Sequence, residues 1–239
     1  MTDNNYPDYN YPRQSVQSLD VRVSQAMKLV YLKMTLGLLV TAFVAYFGAQ
    51  SYSLISWFAN NSWAMIMLFI VELGLVLGIS GGINKLSSPV ATALFYLFAV
   101  VNGLMLFPIF LVYTHASIAK TFFITAGVFG AMSVYGYFTN QDLSKWGSFL
   151  IMALIGLIIC SVVNIFLHSS TMEWIISGAG VLIFVGLTAW DTQQIKAMAM
   201  QAPMESTGKL ATLGALSLYL DFINLFLYLL RFFGRLSND

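Results

Sequence analysis

Charge is what this sequence has least of. Only 9% of its 239 residues are charged, against about a quarter in an ordinary soluble domain. So few charges cannot cover a water-facing surface, and 59% of the chain is hydrophobic with a mean hydropathy of +0.79. A lipid bilayer is the solvent that fits this composition. The net charge is +1, so no broad field draws the chain toward nucleic acid, and no nucleic-acid partner is expected. Cysteine is nearly absent. The single Cys160 sits in an apolar run, which excludes an intramolecular disulfide and a cysteine-based metal site and suits a small buried side chain. The two histidines, His115 and His168, lie near the ends of apolar runs and read as interfacial polar residues. A cleavable secretory signal is also missing from the start. Residues 1–28 are polar and mixed in charge, and read as a flexible tail, so the first membrane helix is expected to direct insertion.

What the chain has instead is long apolar runs. A helix needs about 20 residues to cross the hydrocarbon core. Seven runs meet that length, at about 29–49, 62–80, 90–113, 118–138, 147–168, 173–195 and 210–231. The expected fold is an all-α membrane protein of seven transmembrane helices over 29–235. The runs do not alternate with period two, which argues against strands. Eight of the eleven Lys and Arg residues fall on one side if the N-terminus is cytoplasmic, and three (Lys120, Arg231 and Arg235) fall on the other. That bias favours a cytoplasmic N-terminus. Glycines inside the runs, such as Gly74, Gly78, Gly103, Gly127, Gly156, Gly180 and Gly214, read as close-packing positions. Pro108 is expected to kink the third span. Gly78–Pro89, with its extra glycines and serines, reads either as a helix end or as a turn.

Three acids fall inside the runs: Glu72, Asp191 and Asp221. No base is expected deep in any span, since Lys33 lies about one turn from the start of the first and can snorkel. An acid at the bilayer centre costs about 2.5–3.5 kcal/mol even on lenient insertion scales, and such acids commonly mark ion or proton paths. Asp221 shares a helix face with Asn224 at i, i+3, in a polar stripe that also holds Ser217 and Tyr228. With the sixth span ending at 195, Asp191 sits nearer the inner face than Asp221, so contact requires a tilt or a shifted helix end. Two carboxylates that do meet cannot both ionise cheaply, and they then titrate as a unit. Such a pair is open to three uses: pH sensor, cation site or acid–base catalyst.

Three segments carry a resemblance to a known family. "ALSLYLDFINLFLYLLRFFG" (Ala215–Gly234), "YLFAVVNGLMLFPIF" (Tyr96–Phe110) and "WDTQQIK" (Trp190–Lys196) resemble the signatures of the Bax inhibitor family, the transmembrane Bax inhibitor motif proteins. The resemblance covers about 25–235. It implies a seven-helix fold with the C-terminal helix central. It also implies a pH-sensitive calcium leak in the best-studied bacterial members. By that resemblance Asp191 and Asp221 form the pH-sensing dyad, which also touches the calcium ion. The ion pathway comprises Glu72, Asp191, Asp221 and Asn224. A basic latch near the inner end of the second span is occupied here by Ile83, with Lys85 two residues on as the candidate replacement. A lysine lacks the planar fork of a guanidinium.

The first expectation is therefore a pH-sensitive calcium leak of a bacterial inner membrane, with calcium as cargo and no cofactor. The alternative is an interaction protein that binds a membrane-bound, ATP-dependent protease through the tail of residues 1–28. Enzymatic activity is not expected. Aspartyl intramembrane proteases carry Gly-x-Gly-Asp, where this chain has "LYLD". The serine pattern requires Gly-x-Ser-x-Gly and a helix histidine, and neither is expected here.

Overall fold

A computed structural model describes residues 11–203 and 206–235. Among these the chain forms α1 (Tyr11–Gln50), α2 (Tyr52–Asn60), α3 (Trp63–Gly82), α4 (Ser88–Leu106), α5 (Ile109–Val112), α6 (His115–Phe138), α7 (Ser144–Leu167), α8 (Ser170–Gln201) and α9 (Thr207–Phe233). Seven stretches are long and apolar enough to span a membrane: Leu19–Gln50, Trp63–Gly82, Ser88–Val112, His115–Phe138, Ser144–Leu167, Ser170–Gln201 and Thr207–Phe233. The fold is an all-α membrane bundle.

Two ends differ from expectation. The tail expected over 1–28 is helical from Tyr11, while residues 1–10 lie outside the described residues. The cause is visible in the pattern: Val23, Ala26, Met27, Val30 and Met34 are spaced as one helix face and are all buried. That stripe is amphipathic, so the helix continues past the lipid and packs on the bundle. The Arg22 guanidinium also donates to the Ala202 carbonyl at 2.7 Å, tying α1 to the end of α8. The second difference is α8, which runs to Gln201. Ile195 and Ala199 continue its buried face past the expected end.

The last helix is the centre of the bundle. α9 packs against α1, α4, α6 and α8 and touches α3, whereas α7 packs mainly on α8. Buried side chains occur around its whole circumference, including Leu216, Leu218, Tyr219, Asp221, Leu225 and Leu230. An all-round buried helix of this kind is characteristic of a core position. α7 has the opposite profile: only Gly147 and Leu157 are buried, and Cys160, expected inside, is exposed on its outer side.

Small residues set the closest helix approaches. A Cβ on Gly103 would lie 2.8 Å from the Thr41 carbonyl oxygen, which fixes how near α4 comes to α1. A Cβ on Gly136 would collide with the Ala189 carbonyl, so α6 meets α8 there through backbone. Gly74, Gly78, Gly127 and Gly156 face open space, so close packing does not account for them. Pro108, lacking an N–H, stands at a break between α4 and the short α5.

Candidate functional site

Two polar clusters flank α9, one on each side. Tyr219 and Asp221 are two residues apart, which turns them about 200° around a helix of 3.6 residues per turn. Asp221 therefore faces α8, and Tyr219 faces α1 and α4.

On the α8 side the carboxylates of Asp191 and Asp221 lie within hydrogen-bonding reach of each other. The extra length of α8 makes this possible. Asp191 is ten residues before Gln201, about 15 Å from that helix end, and Asp221 is fourteen after Thr207, about 21 Å from the adjoining end of α9, a difference of about 6 Å where an α8 ending at 195 would leave about 15 Å. Asp221 is 4% exposed and its Oδ2 has no hydrogen-bond partner among the described residues. Asp191 is half-buried. The neighbouring Thr188 and Thr192 hydroxyls do not serve the carboxylates. They donate back to the Phe184 and Thr188 carbonyls at 2.7 and 2.8 Å. No Lys or Arg forms an ion pair with either aspartate among the described residues. Two carboxylates this close repel each other when both are ionised, and no base offsets that here among the described residues.

Glu72 is not part of that pair. Its carboxylate accepts a hydrogen bond from the Asn102 amide. The Tyr219 hydroxyl donates to Asn102 Oδ1 at 2.9 Å and lies 2.6 Å from Thr41 Oγ1, which reaches the Ala99 carbonyl at 2.8 Å. Thr41, Asn102 and Tyr219 are all buried. Four helices, α1, α3, α4 and α9, are thus joined by one polar chain on the side of α9 away from the aspartates. Asn224 stands apart from both clusters. It is half-buried, and its amide donates to the Leu220 carbonyl of its own helix at 2.8 Å.

A family model described as Inhibitor of apoptosis-promoting Bax1 matches residues 23–238. This chain belongs to the Bax inhibitor family. Its relatives include the inner membrane protein YbhL of Escherichia coli (strain K12), 52% identical over 212 residues that cover 87% of this chain and 91% of the relative. A protein of Borreliella burgdorferi is 49% identical over 208 residues, covering 86% and 90%, and one of Rickettsia prowazekii is 43% identical over 220 residues, covering 92% and 93%.

The basic latch expected from the Bax inhibitor resemblance is not formed by Lys85. α3 ends at Gly82, and the turn after it carries Lys85 outward, where it is exposed and makes no ion pair with Asp191. Its neighbour Asn84 instead accepts from Lys209 Nζ through its carbonyl at 3.3 Å. Among the described residues the buried cation is Lys33, which sits well inside α1 and is 8% exposed. It does not snorkel. Its ammonium donates to Thr92 Oγ1 (2.8 Å), Thr212 Oγ1 (2.7 Å) and the Gly208 carbonyl (3.1 Å). An ammonium has three donors, and here all three are met by neutral oxygens.

Contrary to expectation, Gly78–Gly82, "GISGG", has the Gly-x-Ser-x-Gly spacing, and His115 opens a helix, α6. Ser80 is exposed near the end of α3 and has no side-chain hydrogen bond among the described residues, and neither His115 nor His168 bonds to it. No group of three or more His, Cys, Asp or Glu side chains that could hold a metal ion occurs among the described residues. Calcium takes six to eight oxygen ligands.

Proposed function

We propose that this protein is a pH-sensitive calcium leak of a bacterial inner membrane, with its N-terminus cytoplasmic, gated by protonation of the Asp191–Asp221 pair. The observation that carries this reading is the juxtaposition of the two carboxylates at mid-depth between α8 and the central helix α9, without a neighbouring base. With one shared proton, the pair carries one negative charge and the two helices are held together. Loss of that proton leaves two like charges at close range, which repel and push α8 and α9 apart. Deprotonation also frees oxygen ligands for a hard cation. The similarity to an inner membrane protein of Escherichia coli supports the location. The excess of Lys and Arg on one side supports the orientation.

The test is calcium influx into proteoliposomes loaded with an indicator dye, with the external pH varied around neutrality. The parent protein should leak more calcium as pH rises through the titration of the pair. Asp191→Asn and Asp221→Asn should each flatten that profile, because an amide cannot share the proton. A parent protein with no flux above empty vesicles, or variants that keep the parental profile, would end this reading.

A further inference from the structure

A cavity of about 560 Å³ lies between α7, α8 and α9. Its polar lining includes Ser161 and Asn164 of α7, Glu173 of α8, and Asn224, Tyr228 and Arg231 of α9. The rim is at the α7–α8 connection. There His168 closes α7 in the left-handed conformation (φ 49°) and Glu173 Oε1 lies 3.7 Å from Arg231 Nε. Both members of that ion pair are about half exposed, at 53% and 46%, so it spans an open mouth without sealing it. Ser161 lies seven residues before His168, and Asn224 seven before Arg231. At 1.5 Å per residue both sit about 10 Å below the rim.

The hydrogen bonds made by these side chains leave capacity unused. Asn164 Oδ1 accepts from the Ser169 N–H at 3.1 Å, and the Asn224 amide donates to the Leu220 carbonyl at 2.8 Å. Asn164 Nδ2 and Asn224 Oδ1 have no partner among the described residues. Lipid tails offer none at that depth, whereas water does. The volume far exceeds the space that one water needs. Asn224 lies one turn from Asp221 on the same helix.

We infer that this cavity is a water-filled vestibule that admits water and small hydrated ions from the α7–α8 end of the bundle as far as Asn224, one helical turn from Asp221. The use to which the route is put rests on the calcium-leak reading, but the presence of water at Asn224 does not. The experiment is thiol labelling of the full-length protein in right-side-out and inverted membrane vesicles with a charged, membrane-impermeant methanethiosulfonate. The native chain supplies a lipid-face control, since Cys160 is exposed on α7 outside the cavity and one residue from Ser161. Asn224→Cys and Ser161→Cys, each in a Cys160→Ala background, report the cavity from two walls. Thr171→Cys marks the loop side.

The cavity thiols should react at least about tenfold faster than Cys160, because each pKa unit between a wet and a lipid-bound thiol changes the reactive thiolate about tenfold. They should react from the side that labels Thr171→Cys. Rates equal to that of Cys160, or labelling only from the opposite side, would overturn the vestibule. If Asn224→Cys does not fold, Ser161→Cys decides alone. Reactive cavity thiols without calcium flux would uphold the vestibule and end the leak reading. Silent thiols beside pH-dependent flux would do the reverse.

Discussion

Tyr219 is the side chain on which the polar chain across α1, α3, α4 and α9 depends. Its ring is fully buried, with Phe95 and Phe98 packed edge-on at 5.9 and 5.2 Å, so Tyr219→Phe should leave the packing unchanged. Only the hydroxyl is lost. Thr41 retains its bond to the Ala99 carbonyl, but Asn102 Oδ1 loses its donor inside the bundle. A buried acceptor left without a partner costs about 1–3 kcal/mol. For a chain of this length, a loss of about 2 kcal/mol corresponds to a fall in Tm of about 4–8 °C. The assay is thermal unfolding of purified protein in one detergent, for Tyr219→Phe, Asn102→Ala and the double variant. Because the two residues share one hydrogen bond, the double variant should lose less than the sum of the singles, by about 0.5–3 kcal/mol. A Tyr219→Phe protein as stable as the parent, or strict additivity, would refute the view that this chain is a coupled unit.

Lys33 and Thr212 should respond unequally. Thr212→Val strands a buried ammonium with one acceptor fewer, at a cost of about 1.5–3 kcal/mol. Lys33→Met removes the buried charge itself. It leaves Thr92 and Thr212 bonded to the Ser88 and Gly208 carbonyls, so it should change stability by less than Thr212→Val does in the same melting assay. Gly136→Ala should be destabilising by about 1–3 kcal/mol, because the added methyl meets the Ala189 carbonyl two residues from Asp191. Gly127→Ala, on the same helix with open space beside it, should be neutral or stabilising by up to about 1 kcal/mol. Equal melting points for the two glycine variants would contradict the close approach of α6 and α8.

The bundle itself was readable from composition and run length, because a spanning helix must be long and apolar whatever its neighbours. Helix ends were less readable where an element continues beyond lipid. The stripe Val23, Ala26, Met27, Val30 and Met34 is present in the sequence, but the polar residues between its members mask it in a search for apolar runs. The six residues of α8 beyond 195 cut the difference in depth between Asp191 and Asp221 to about 6 Å, so an uncertain helix end became an uncertain site. The acids were conspicuous because a carboxylate is costly in lipid. Tyr219, Asn102 and Thr41 were not, since one neutral polar group in an apolar run is unremarkable until its partner on another helix is known. Thr212 and Tyr219 are seven residues apart and so share a face of α9, a spacing that could have drawn attention to them. Lys33 was misjudged because its distance from water depends on where α1 begins.

The most direct test of the central claim is an infrared pH titration of the purified protein in lipid, following the protonated-carboxyl C=O band. A shared proton predicts a band that disappears as pH rises through the titration of the pair and is changed in both Asp191→Asn and Asp221→Asn, since the pair titrates as a unit. A band that stays constant with pH, or that survives unaltered in either variant, would contradict a proton shared between Asp191 and Asp221.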